Sequence, residues 1–323
     1  MISAHRLALR HPLQWVCMVM AFGMVTGCEP TASVSRRQLS GRFFSEAQVI
    51  GGKGVAPGQF NKPRSVACDR HDNLYVVDMT GRVQKFSPTG VFLLQWQMPQ
   101  TEIGKPKGMG LDRDGHVLVL EPHYQRVNHF DEEGHLVSQW GKKGTNLSEF
   151  ILPRSIAQNS AGDYFVSEYT QVERVQKFNS NHVFLQAWGS PGLAPGEFNR
   201  AEGLAIGPKD EVYVCDSCNH RIQIFDSSGH FLRTYGSAGS SAGLLSYPYD
   251  IHVESSGVQF VCEFGNSRIS VFDAQGQALE VIGQAGSLPG EFANPWGMAF
   301  DSHGNMYVAD ALNHRVQKFI RRA

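Results

Sequence analysis

Neither sign of charge prevails in this sequence: 29 Lys and Arg stand against 30 Asp and Glu, a net charge of -1. Without a basic field nothing draws in a polyanion at long range, so dedicated nucleic-acid binding is disfavoured. Long apolar runs are scarce too. The mostly apolar run from Pro12 to Thr26 has 15 residues, short of the roughly 20 that a spanning helix needs. Disorder is excluded by the composition, because 41% of residues are hydrophobic and 18% charged, whereas a disordered chain needs low apolar content and high net charge. What is plentiful is glycine. Its 34 residues are about a tenth of the chain, above the roughly 7% of average usage, and so many tight turns point to all-β structure.

The first segment reads as an address. Arg6 and Arg10 precede the short apolar run, the order of a secretory signal. The run ends in Val25, Thr26, Gly27 and Cys28, which resembles the bacterial lipobox. That resemblance implies cleavage after residue 27, acylation of Cys28, and an exported chain anchored to a bacterial membrane on its periplasmic or outer face. Residues 28–40 have no hydrophobic periodicity and are expected to be a tether.

A repeat fills the rest. Six segments of one pattern begin at Arg82, Arg126, Arg174, Arg221, Arg268 and Arg315 (RVQKF at the first), spaced 44, 48, 47, 47 and 47 residues apart. Each unit has an apolar segment near a proline (Pro63, Pro106, Pro153, Pro248, Pro295, with Ala201 once). A polar turn follows, such as Asp112–Gly115 or Asp301–Gly304, then a second strand, the arginine strand, another turn and a fourth strand. The apolar pattern alternates with period two. Four short strands per 47 residues fit a propeller blade better than a helical repeat.

The links between units repeat as well: Gly51–Phe60, Gly189–Phe198 and Gly283–Phe292 are near copies. On these motifs the chain, from about Arg42 to Phe319, resembles NHL-repeat proteins. The resemblance implies a six-bladed all-β propeller over residues 41–320, with four antiparallel strands per blade. The sequence ends just after a third strand, and residues 42–50 form a fourth strand with no blade before them. The N-terminal strand is therefore expected to complete the last blade and remove two open sheet edges.

Symmetry separates scaffold from site, because a residue present in every blade serves the blade. The acids Asp78, Glu121, Glu168, Asp216, Glu263 and Asp310 and the six arginines read as braces of the loops between second and third strands. Val66, Met109, Ile156, Leu204, Ile251 and Met298 read as core between blades. The position after the proline column varies instead: Arg64, Lys107, Arg154, Glu202, Tyr249 and Trp296. These six are expected to ring the channel on its upper face, basic in blades 1 to 3 and acidic or aromatic in blades 4 to 6. Such a ring suits an anionic or mixed-charge ligand with an apolar part. The upper loops of blades 1 to 3 are also irregular. The one between Glu168 and Arg174 is one residue longer than the regular loops, and His123, Tyr124 and Tyr169 replace the pattern that Asn219, Asn266 and Asn313 keep.

Blade 5 departs furthest, with Asp250 and His252 where the other blades have Ser or Gly and Ala or Gly. Two apart on one strand, they share a face, and an Asp beside a His can orient a general base or support a metal ligand. The plainer reading is a histidine filling the channel and bonded to Asp250. Peptidylglycine amidating lyase, an enzyme whose propeller resembles the NHL type, is expected to hold zinc through histidines at the inner-strand starts of several blades. Here those starts carry Arg, Lys, Arg, Glu, Tyr and Trp, so no metal is expected. His220 and His314 read as surface residues of Asn-His-Arg loops. No Walker or dinucleotide motif occurs, and no cofactor is expected. Cys68, Cys215, Cys218 and Cys262 are expected to be mostly free and buried, despite the C-x-x-C spacing of Cys215 and Cys218 and an exported setting that permits disulfides.

The sequence thus predicts a lipid-anchored, extracytoplasmic binding propeller whose upper face captures a protein, a peptide or a cell-envelope polysaccharide. The alternative is an NHL-like lyase or hydrolase with chemistry near Asp250 and His252.

Overall fold

A computed structural model describes residues 35–323. The expected signal peptide, Cys28 and the first part of the tether lie outside the described residues. Six antiparallel sheets follow one another along the chain, each running from an inner strand to an outer one. The inner strands are Pro63–Cys68, Gly108–Leu111, Pro153–Gln158, Ala201–Ile206, Pro248–Val253 and Pro295–Phe300. The second strands, for example Leu74–Asp78 and Met306–Asp310, are buried along their whole length, because each is covered on both faces by neighbouring blades. This is a six-bladed propeller.

Closure follows the expected route. Phe44–Ile50 pairs with Arg315–Arg321 as the fourth strand of blade 6, so the two ends of the domain share one sheet. The sheet then goes one strand further than the sequence suggested. Arg36–Gln38, placed in the tether, pairs with residues 46–48 and gives blade 6 a fifth strand. Phe44 is driven into the interior, where its ring meets Phe260 of blade 5 and Phe319 of blade 6.

The cores lie between blades. Leu118, Leu120 and Val127 of blade 2, for instance, pack against Ile156, Tyr164, Val166 and Phe178 of blade 3. The column from Val66 to Met298 is buried in all six blades. The acid and arginine columns are braces. Arg315 Nε bonds Asp310 at 2.8 Å, while its Nη atoms reach the carbonyls of Ser287, Leu288 and Glu291 in the preceding link. Both partners are almost fully buried, so removing either would strand a charge. Blade 2 follows the irregular link 98–107 and fits less well, leaving Glu121 Oε1 and Arg126 Nη2 buried without partners.

The four cysteines of the described chain are free. Cys215 and Cys262 are buried in second strands, and Cys68 and Cys218 are half-buried. Burial pushes all four thiols up, so they are poor thiolates.

Candidate functional site

The inner strands surround a channel of about 450 Å³, and Arg64, Lys107, Arg154, Tyr249, Asp250, His252 and Trp296 contribute to its lining. The variable position after the proline column has a structural cause. In five blades the ladder between inner and second strand shifts register there, between Pro63 and Ser65, Pro153 and Ser155, Ala201 and Leu204, Pro248 and Asp250, and Pro295 and Met298. A bulged residue is released from the pleat and its side chain is re-aimed, here toward the channel mouth. The bulge is why this column can vary while its neighbours repeat.

The residue just before the proline column is held in the left-handed region at Lys62, Arg200, Tyr247 and Asn294, with φ between 48° and 68°. In each case its N–H is capped by a side chain from the preceding blade: His314 Nδ1, Glu173 Oε2, His220 Nδ1 and Ser267 Oγ. His220 and His314, half-exposed in their loops as expected, therefore also latch one blade to the next.

Glu173 joins two irregularities that look unrelated in the sequence. The extra residue in the blade 3 loop brings its carboxylate under the N–H groups of Arg200 and Ala201. Ala201 interrupts the proline column because its N–H is used as a donor, which proline lacks. Arg200, which the sequence did not single out, then reaches Glu202. That carboxylate is fully buried between two guanidinium groups, with Arg154 Nε on one oxygen and Arg200 Nε on the other. Glu202, expected as the acidic member of the ring, thus acts on the mouth through the arginines and is closed to direct ligand contact.

The aromatic half of the ring is likewise engaged. The guanidinium carbon of Arg64 lies 3.5 Å from the Trp296 ring centroid, and that of Arg154 lies 5.3 Å from it. Tyr249 stacks on Phe264 at 4.5 Å and meets Trp296 edge-on at 5.1 Å. Arg200 lies over both Tyr169 and Tyr249. Lys107 Nζ donates to Tyr169 Oη at 3.2 Å, which brings one of the irregular upper-loop residues into the site. Tyr124 and His123 instead pack the link before blade 2, where Tyr124 Oη bonds Glu102 and His123 crowds Gly104. Arg64 makes no hydrogen bond to the described chain, and its Nε and Nη1 are buried without partners. Burial, and then the charge of Arg154, bring Arg64 down to about 10.

Deeper in the channel Asp250 and His252 do not form a pair. Asp250 accepts the N–H of Met298 at 2.8 Å and of Ile251 at 3.0 Å, tying blade 5 to blade 6. His252 stacks on Phe300 at 4.0 Å, and no hydrogen bond links it to Asp250. Burial raises Asp250 to about 6 and lowers His252 to about 4, so at neutral pH the histidine is uncharged. The approach of the strands here is close: a Cβ on Gly203 would sit 2.6 Å from Asp250 Cα and from Tyr249 O.

Among the described residues, sets of acids and histidines close enough for an ion occur at the other end of the blades. The most buried is Asp112, His116 and His129. Trp140 Nε1 donates to His129 Nε2 at 2.9 Å, which places the proton of a neutral His129 on Nδ1, the atom facing Asp112 at 3.4 Å. That nitrogen has no lone pair left for an ion.

The NHL repeat family matches residues 198–225 and 292–319, each running from a link phenylalanine to the end of an arginine strand. The chain is a six-bladed propeller, two of whose repeats match the NHL repeat. A stretch of 113 residues, 35% of the chain, is 25% identical to protein brain tumor of Drosophila melanogaster, of whose length it spans 10%. Three solved structures share the fold. A gluconolactonase from Xanthomonas campestris has a TM-score of 0.63 at 14% identity, over 89% of this chain and 100% of that one. Virginiamycin B lyase from Staphylococcus aureus has 0.59 at 13%, over 89% and 98%. A streptogramin B lyase has 0.59 at 12%, over 85% and 98%. At these identities the likeness concerns the fold alone.

Proposed function

We propose that this propeller is a binding module, lipid-anchored outside the cytoplasm through Cys28, that captures a protein, peptide or cell-envelope polymer at its upper face. The observation that carries the reading is the break in sixfold symmetry at one end of the channel. There bulged positions from five blades, together with Lys107, gather arginines and aromatic rings that do not repeat from blade to blade. A ring that served only the scaffold would repeat, as the brace arginines do.

Among the fold neighbours are two lyases and a gluconolactonase, so a catalytic channel is the second reading. Its natural residues, Asp250 and His252, are turned to a backbone tie and a ring stack, which favours capture. The test is recovery of cross-linked envelope components by the full-length chain and by the variant Arg64→Gln/Arg154→Gln/Trp296→Ala. The variant is expected to keep a cooperative melt and lose the captured component; undiminished capture refutes the site. Turnover of an envelope substrate that His252→Ala abolishes would establish the catalytic reading instead.

A further inference from the structure

Resting on that capture reading, we propose that the group recognised at the channel mouth is an oxyanion, a carboxylate or a phosphate, held between the guanidinium groups of Arg64 and Arg154.

Arg64 and Arg154 come from different blades, yet both guanidinium carbons lie within 5.3 Å of one ring centroid, that of Trp296. Two like charges gathered on one ring repel unless a counter-charge joins them. The neighbouring acids are already committed. Glu202, wholly buried, gives one oxygen to Arg154 Nε and the other to Arg200 Nε, so its single charge is shared by two guanidinium groups and Arg64 has no acid partner of its own. Asp250 is committed to Met298 and Ile251 N–H, and Glu173 to Thr170, Arg200 and Ala201 N–H.

The donors, by contrast, are in surplus. Arg154 spends only Nε on Glu202, Arg64 has no acceptor for Nε or Nη1, and Lys107 Nζ meets only the Tyr169 hydroxyl. A buried donor without an acceptor carries a desolvation cost, and that cost is relieved by a ligand rich in acceptors. Guanidinium donors match the geometry of carboxylate and phosphate. The aromatic residues fix the planes of these groups rather than offering a free stacking face, because Trp296 is covered by Arg64 and Tyr249 by Phe264. The recognised element is therefore the anion itself, and the apolar part anticipated from the ring composition is not required.

The full-length chain in detergent is titrated with inorganic phosphate and, separately, with acetate, each against chloride of matched ionic strength. Tryptophan fluorescence and melting temperature are followed. At least one anion is expected to bind saturably and raise the melting temperature. Arg64→Gln should weaken that binding about tenfold or more, Arg64→Lys should restore part of it, and Arg233→Gln, on the outer strand of blade 4, should leave it unchanged. Which arm responds decides between phosphate and carboxylate. Neither anion exceeding the chloride control, or Arg64→Gln binding within about twofold of the unaltered chain, overturns the assignment. If the oxyanions fail while the triple variant still loses its captured component, the capture reading stands and only the oxyanion falls. If capture survives the triple variant, both fall.

Discussion

The guanidinium group of Arg64 stacks on the indole of Trp296, its carbon 3.5 Å from the ring centroid, and so joins blade 1 to blade 6. A cation over an indole is worth about 0.5 to 2 kcal/mol, more as water is excluded. A double-mutant cycle of Arg64→Gln and Trp296→Ala, read by denaturant unfolding, should give a coupling of about 1 kcal/mol. Additive effects would mean that the contact does not hold the mouth together.

Ala201→Pro tests the link between Glu173 and the broken proline column. Five blades carry proline at this position, so the backbone accepts it, and the variant chiefly removes one N–H from a buried carboxylate. An expected loss of about 1 to 3 kcal/mol follows, and Glu173→Gln should reduce the penalty of the second change. A neutral or stabilising Ala201→Pro would show that the N–H of Ala201 does not matter.

How much of this was legible in the sequence depends on whether a feature repeats. The brace arginines, the core column and the closing strand from Phe44 were readable, because six copies of one pattern expose what a blade requires. Arg36–Gln38 was missed because a three-residue strand with no apolar side chain leaves no alternation to detect. Arg200 was missed because it stands just outside the compared column, and its signal was the alanine that follows it. Glu202 was read as a member of the ring, but its burial could not be read, since that depends on Arg154 from another blade. Asp250 and His252 share a strand and a channel, yet alternation says nothing of their partners, Met298 and Phe300, which lie on the inner strand of the next blade.

Closure by the N-terminal strand makes Phe44 a keystone of the fold. Its ring is 2% exposed and touches Phe260 and Phe319, so Phe44→Ala should cost about 3 to 5 kcal/mol. The same truncation at half-exposed Phe231, on the outer strand of blade 4, should cost far less. Thermal melts of the two variants compare them directly, and equal losses would contradict a closure-dependent fold.

Acid sensitivity has a defined window. His182, stacked on Trp140 and facing His129, Tyr164 and Asp112, is lowered to about 4, chiefly by burial and then by His129. His252, against Phe300 and near Arg321, is lowered to about 4 for the same first reason. A histidine whose folded value lies below its unfolded one binds its proton more readily in the unfolded chain. Stability should hold above about pH 6.5 and fall as the pH drops toward 4. Asp112 acts in a lower window. Despite burial, bonds from His129 and His116 bring it to about 2, so its contribution is lost only below about pH 4. His182→Asn/His252→Asn should flatten the melting temperature between pH 6.5 and 4, Asn being tolerated at the left-handed φ of residue 182. An unchanged slope would assign the acid limb to other groups.

The position of the ligand is the central claim, and the indole resonances report it. Trp296 stands at the channel mouth, whereas Trp96, Trp140 and Trp188 lie on outer strands. An indole proton–nitrogen spectrum of the chain, assigned by Trp296→Phe and titrated with the captured envelope component, should show the Trp296 signal moving while those three stay in place. A shift confined to the outer-strand indoles, or saturated binding that leaves Trp296 unmoved, would contradict the channel mouth as the binding site.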